Sequence, residues 1–122
     1  MSDKLRILVA EDDKELRETL FTHLCDEGYD VTTAASGNEA IPLIYGKEFN
    51  VVVLDLKMPY IDGFEVLKFI KSTFPETKVL VLTAYADLGN IDECKKLGAD
   101  EVFAKPYNLS DLFYAIENVM KR

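Results

Sequence analysis

The chain has 122 residues, the usual size of one domain and enough for a single sizeable core. No apolar run approaches 18 residues and the start, Met-Ser-Asp-Lys, is polar, which excludes a membrane span and a signal peptide from the sequence as it stands. A net charge of −8, from 22 acidic and 14 basic side chains, argues against a general nucleic-acid or anionic-membrane surface and favours cationic partners.

Leu5 to Ala10 predicts a first strand, ending in Glu11-Asp12-Asp13. A helix follows, with Leu16, Leu20 and Leu24 at i, i+4 and i+8 on its buried face. Gly28 closes it as a C-cap, and Tyr29-Asp30 turns into a second strand, Val31 to Ala35. Ser36-Gly37-Asn38-Glu39 has the Ser-x-x-Glu form of a capping box and opens a helix through Ile41 and Ile44. Pro42 sits beyond the first turn, where it removes a backbone donor and is expected to bend or shorten the segment.

Val51 to Leu54 is a continuous apolar run rich in β-branched residues, the pattern of a strand buried on both faces. Asp55 ends the run, and Met58-Pro59 prevents its continuation. Asp62-Gly63 starts a third helix whose apolar positions are Phe64, Leu67 and Ile70. Pro75 separates it from a fourth strand, Lys78 to Leu82, which ends in Thr83-Ala84. A fourth helix runs roughly from Asp87 to Leu97 with Ile91, Cys94 and Leu97 inward, and Gly98 caps it. Val102 to Ala104 is a short fifth strand, followed by Lys105-Pro106; Asn108 or Ser110 then caps a last helix carrying Leu112, Ile116, Val119 and Met120.

Strand and helix alternate five times with short connections. That pattern implies an α/β fold: a doubly wound parallel sheet with right-handed crossovers and five helices on both faces. One domain is expected to fill residues 1–122. The strand order 2-1-3-4-5 is taken from the flavodoxin-like class of such sheets rather than read from the spacing.

In that order strands one and three flank the switch point, where ligands gather at the carboxyl ends. Strand one presents Glu11, Asp12 and Asp13; strand three presents Asp55; strand four gives Thr83 and strand five Lys105. Two carboxylates about 5 Å apart repel by roughly 3 kcal/mol at an effective dielectric of about 20. A cluster of three therefore needs a raised pKa, a nearby cation or a bound metal. Oxygen donors without His or Cys favour a hard ion, Mg²⁺ with Mn²⁺ as second choice, over zinc. Lys105 then serves as a point charge for a phosphate, Thr83 as a hydroxyl donor, and Asp55 as an oxygen nucleophile for in-line attack on phosphorus.

Four stretches carry a resemblance: Ile7-Leu8-Val9-Ala10-Glu11-Asp12, Val53-Leu54-Asp55-Leu56-Lys57-Met58-Pro59 with Asp62-Gly63, Leu82-Thr83-Ala84, and Lys105-Pro106. Together, in this order, they make the whole chain resemble a response-regulator receiver domain. The resemblance implies that Asp55 takes a phosphoryl group from a histidine kinase's phosphohistidine or a small phosphodonor in a Mg²⁺-dependent reaction, and that the domain, no enzyme toward other substrates, catalyses its own phosphorylation and dephosphorylation. Asp12 would ligate Mg²⁺ directly, Glu11 mainly through water, and Lys57 through its backbone carbonyl. Thr83 would swing toward the phosphoryl group, Lys105 would pair with it, and the Lys105–Pro106 bond would be cis. The partners implied are a histidine kinase or phosphotransfer protein and a downstream protein, met through the strand 4–helix 4–strand 5 face. The domain would be cytoplasmic, a monomer or a phosphorylation-dependent homodimer, bound neither to nucleic acid nor to membrane, and without an output domain.

The sequence departs from the family at one switch position. The aromatic residue usual three places before the strand-five lysine is replaced by Val102, with Phe103 one place later. Phe103, Tyr85 or Tyr107 is expected to contribute to the readout if a ring is needed there. This departure keeps one alternative, a pseudo-receiver that binds partners without phosphate. A flavodoxin-like cofactor binder would need a Ser/Thr/Gly-rich phosphate loop where this chain has three acids. A P-loop enzyme is excluded by the lack of Gly-x4-Gly-Lys-Ser/Thr. His23 is expected on a helix surface, Asp13 as a helix N-cap, and Cys25 and Cys94 as reduced helical thiols. Tyr60 is a loop aromatic within reach of a partner, and Tyr107, Leu109, Phe113 and Tyr114 are divided between core and an exposed patch.

Overall fold

The computed structural model describes residues 4–58, 61–83, 88–104 and 107–121. Its elements are β1 (Arg6–Ala10), α1 (Lys14–Asp26), β2 (Asp30–Ala34), α2 (Gly37–Gly46), β3 (Val51–Asp55), α3 (Gly63–Thr73), β4 (Lys78–Thr83), α4 (Leu88–Lys96), β5 (Glu101–Ala104) and α5 (Leu109–Val119). The strands form one sheet of order β2-β1-β3-β4-β5, with every neighbouring pair parallel.

Parallel strands need helical crossovers, and these cover both faces of the sheet. Alternate side chains of the central strands therefore enter two different cores. Leu8, Val52, Leu54, Val79 and Val81 pack on the side of Val66, Leu67 and Ile70 from α3 and Cys94 from α4. Ile7, Val9, Val53, Leu80 and Leu82 pack on the other side, against Leu20 and Leu24 of α1 and Leu112 and Ile116 of α5. β3 lies between β1 and β4 and is buried throughout, so its last residue, Asp55, is buried too.

The caps follow local chemistry. Asp13 accepts a hydrogen bond from the Leu16 amide at 3.2 Å, Ser36 from Glu39 at 3.3 Å, Asp62 from Glu65 at 3.0 Å, and Asn108 from Ser110 at 3.0 Å. Asn108, not Ser110, is thus the cap of α5. The Ser36 box is reciprocal in the loose sense: Glu39 reaches back to the Ala35 amide at 3.1 Å. Gly28 and Gly98 end α1 and α4 at φ 94° and 99°, the left-handed conformation that a glycine adopts at no steric cost.

Several boundaries differ from the expectation. β1 begins at Arg6 rather than Leu5, β2 runs Asp30–Ala34 rather than Val31–Ala35, and β4 extends to Thr83. β5 begins at Glu101, one place before Val102, and Met120 is the C-cap of α5 rather than part of it. Such one-residue shifts arise because ladder pairing, not side-chain pattern, decides where an element ends. Pro42 does not break α2, which stays helical from Gly37 to Gly46. The carbonyl deprived of its donor belongs to Asn38, and both Asn38 and Pro42 are solvent-exposed, so water can satisfy it. Asp87 lies outside the described residues, and the fourth helix ends at Lys96, with Leu97 beyond it and packed on the core.

Candidate functional site

β1 and β3 are neighbours in register, with Ala10 opposite Leu54. The residues that leave their carboxyl ends, Glu11 and Asp55, therefore emerge side by side. With Asp12 they form a cluster in which one oxygen of each carboxylate lies within 4.8 Å of the others. Glu11 is 1% exposed and Asp55 3%, whereas Asp12 stands in solvent at the lip. Three like charges, two of them buried, are a costly arrangement: at this spacing each pair repels by about 3 kcal/mol with an effective dielectric of about 20.

Two loops hold the acids in place. The Asp13 amide donates to Glu11 Oε2 at 3.1 Å, and the Lys57 amide to Asp55 Oδ1 at 3.2 Å. Each buried carboxylate thus receives a backbone N–H that helps to hold its orientation. Arg17, on the first turns of α1, donates through Nη1 to the carbonyl of Glu11 at 2.8 Å and of Asp12 at 3.3 Å. The guanidinium ties down the backbone of the acidic loop and brings a positive charge to its rear. Sequence patterning missed this contact; the available signal was a cation five residues after Asp12 on the partly buried side of α1.

The far side of Asp55 is held by a close approach that only glycine permits. The Gly63 amide donates to the Leu56 carbonyl at 2.9 Å, and a Cβ on Gly63 would collide with the Leu56 backbone and the Asp55 carbonyl. The N-terminus of α3 is therefore seated directly on the acid-bearing turn. Gly37 plays the same part for α2, where a Cβ would strike Ile61 in that turn.

Thr83 closes β4 next to this cluster, 2% exposed, one place beyond Leu82, which pairs with Asp55. Thr83 pairs in turn with Ala104, the residue before Lys105. Lys105 and Pro106, with the cis bond expected between them, lie outside the described residues, as do Tyr60 and Tyr85. The Lys57 side chain is exposed, and its amide is the part that meets Asp55. Asp13 is the helix cap expected, His23 is exposed on α1, Cys25 and Cys94 are free thiols, and Tyr107, Leu109 and Phe113 pack on the core while Tyr114 stands exposed on α5.

Tyr107, packed on the core shared by α1 and α5, lies within electrostatic reach of these acids. Its hydroxyl is sealed from solvent and has no hydrogen-bond partner among the described residues. Burial first, then the charges of Glu11 and Asp55, push the phenol up to about 12, so it is a neutral O–H donor.

The donor chemistry fits a hard divalent cation. All three groups are carboxylate oxygens, and an octahedral Mg²⁺ with ligands at roughly 2.0–2.1 Å sets opposite oxygens about 4 Å apart, within a side-chain rotation of the observed spread. A concavity of about 1000 Å³ lies at the opposite end of the sheet, near Lys4, Arg6, Phe49 and Phe74. It is open and of mixed charge, and the geometry of the acids decides the site instead. Among the described residues no helix is long and apolar enough to cross a membrane.

A doubly wound sheet with an acid cluster at the β1/β3 switch point defines a phosphoacceptor signalling fold. The chain belongs to the response regulator receiver domain family, whose sequence pattern it matches over residues 7–117. It is 34% identical over 115 residues to sporulation initiation phosphotransferase F of Bacillus subtilis, a match covering 94% of this chain and 93% of that one. The receiver domain of a Francisella response regulator superposes with a TM-score of 0.92 at 34% identity, covering 98% of each chain. Response regulator TrrA of Thermotoga maritima, solved in complex with Mg²⁺-BeF, superposes with a TM-score of 0.86 at 34% identity over 94% of this chain and 98% of that one. The chain spans about half the length of the first curated relatives it matches, between 47% and 51%. These likenesses support a phosphoacceptor role and lend none to the pseudo-receiver alternative or to Mn²⁺.

Proposed function

We propose that Asp55 is the phosphoacceptor and that Glu11, Asp12, Asp55 and the Lys57 backbone carbonyl hold Mg²⁺ beside it. One observation carries this reading: the Glu11, Asp12 and Asp55 oxygens converge within 4.8 Å at adjacent strand ends, with Asp55 buried and oriented by the Lys57 amide. The bound cation would supply positive charge that offsets the repulsion between an anionic nucleophile and an anionic phosphoryl group. An Asp55 carboxylate oxygen forms the new bond to phosphorus as the nitrogen–phosphorus bond of a phosphohistidine breaks, and the leaving imidazole keeps that electron pair. Thr83, buried at the end of β4, donates its hydroxyl to a phosphoryl oxygen, and Lys105 supplies a point charge to another.

The donor is the phosphohistidine of a histidine kinase or phosphotransfer protein, or a small acyl phosphate, and the domain itself catalyses both phosphorylation and hydrolysis. The reader of the signal is a downstream protein that meets the face made by β4, α4 and β5, with the domain acting in the cytoplasm as a monomer or phosphorylation-dependent homodimer. Incubation with acetyl phosphate and Mg²⁺ should add one phosphoryl group by intact mass. Asp55→Asn should abolish the addition; a variant that still takes up the group overturns the assignment.

A further inference from the structure

The family's switch aromatic is absent at Val102, a half-buried residue whose side chain packs on the α3 side of the sheet. Among the described residues, two rings at this end of β5 lie on the opposite face: Phe103 and Tyr107, with centroids 6.4 Å apart and tilted by 52°. Both belong to the core shared with α1 and α5. For this packing a phenylalanine at position 107 would serve as well as a tyrosine. The hydroxyl instead adds a buried donor with no partner among the described residues, an arrangement that costs free energy and that folded proteins rarely keep without a use.

Its position suggests the use. Tyr107 immediately precedes Asn108, the N-cap of α5, and stands two places after Lys105. The carboxylate charges felt at the phenol are those of Glu11 and Asp55, both in the acid cluster. From these observations we infer that Tyr107 is a positioning residue of the phosphoryl site, its hydroxyl donating to the Glu11 side of the cluster once cation and phosphoryl group are bound. The acceptor is the Glu11 carboxylate or a water of the bound cation. The bond ties the loaded rim to the start of α5, so that α5 senses occupancy without a ring at position 102.

This inference rests on the proposed function, and the two can fail separately. The probe is Mg²⁺ with beryllofluoride, a stand-in for the phosphoryl group, titrated into wild type, Tyr107→Phe and, as a control on an exposed ring, Tyr114→Phe. Tyr107→Phe should melt at the same temperature as wild type or higher without ligand, because it deletes an unsatisfied group. It should bind the probe about tenfold more weakly, the order of one hydrogen bond to a charged acceptor. Tyr114→Phe should match wild type in both measurements. Equal probe affinity for Tyr107→Phe and wild type overturns the inference and leaves the phosphoacceptor reading intact. A lower melting temperature for ligand-free Tyr107→Phe also overturns it, because the hydroxyl would then be satisfied at rest. Failure of wild type to bind the probe overturns the functional reading, and the inference falls with it.

Discussion

The two ends of the sheet bury charge in opposite ways. At the amino end, Lys71 of α3 meets Asp100, just before β5, at 2.9 Å, with both side chains 16% exposed. The lysine also donates to the Thr77 carbonyl at 2.8 Å, and the same Asp100 oxygen accepts from the Val79 amide at 2.8 Å. At the carboxyl end, Glu11, Asp12 and Asp55 crowd three charges of one sign. The first arrangement is complete within the protein and fixes α3, β4 and β5 to each other. The second is completed by what arrives from solution. Structure is secured at one end so that the other can remain electrostatically unsettled.

Breaking the closed end should have the largest effect on stability. Lys71→Met strips Asp100 of its ammonium and should lower the unfolding free energy by about 3 kcal/mol in urea denaturation. A loss under about 1 kcal/mol would mean the pair behaves as a screened surface bridge. At the open end the sign reverses. Mg²⁺ at ten times its dissociation constant should add about 1.4 kcal/mol to wild type, read as a rise in melting temperature. Asp12→Asn should keep or raise the metal-free melting temperature and lose most of that rise. A variant that melts lower without metal would show that repulsion does not govern the cluster.

Smaller effects sharpen the contrast. Asp62→Ala removes the cap that starts α3 on the Asp55 turn and should cost about 1 kcal/mol in the same denaturation assay. A further change is expected with pH. Burial, reinforced by Glu11 and Asp55, raises the Tyr107 phenol to about 12, so the folded state keeps a proton that the unfolded chain gives up near its ordinary value of 10.0. The titration therefore leaves stability unchanged below pH 10 and lowers it as the pH climbs from there through about 12. Burial raises Tyr29 as well, with Glu117 and Glu27 adding to it. Stability against pH should therefore fall on the alkaline side, and Tyr107→Phe should make that fall shallower without erasing it.

What the sequence revealed follows from how each feature is encoded. The β3 run Val51 to Leu54 and the caps Asp13, Ser36 and Asp62 are local signals, and they place the strands, the helix starts and the acid-bearing turns. Given parallel pairing, the meeting of Glu11 with Asp55 follows from strand ends alone. Pro42 misled because the expected penalty ignores which carbonyl loses its donor, here an exposed one. Val66 went unnoticed because Phe64, Leu67 and Ile70 make an i, i+3, i+6 row, whereas the buried face carries Val66 and Ile70 at i, i+4 with Leu67 beside them and Phe64 only partly buried. The Arg17 contact and the Lys71–Asp100 pair are invisible to pattern, since a charge at a half-buried helix position does not name its partner across the fold. Tyr107 drew notice only as a ring; its buried hydroxyl appears when the packing around it is known.

The most direct test of the open end is to locate the phosphoryl group. The chain is incubated with acetyl phosphate and Mg²⁺, the acyl phosphate is reduced with borohydride, and the digested peptides are mapped by mass. Conversion at position 55 alone, and none when Mg²⁺ is chelated, is the predicted result. Conversion at Asp12 or elsewhere, or undiminished labelling at Asp55 without a divalent cation, would contradict the account.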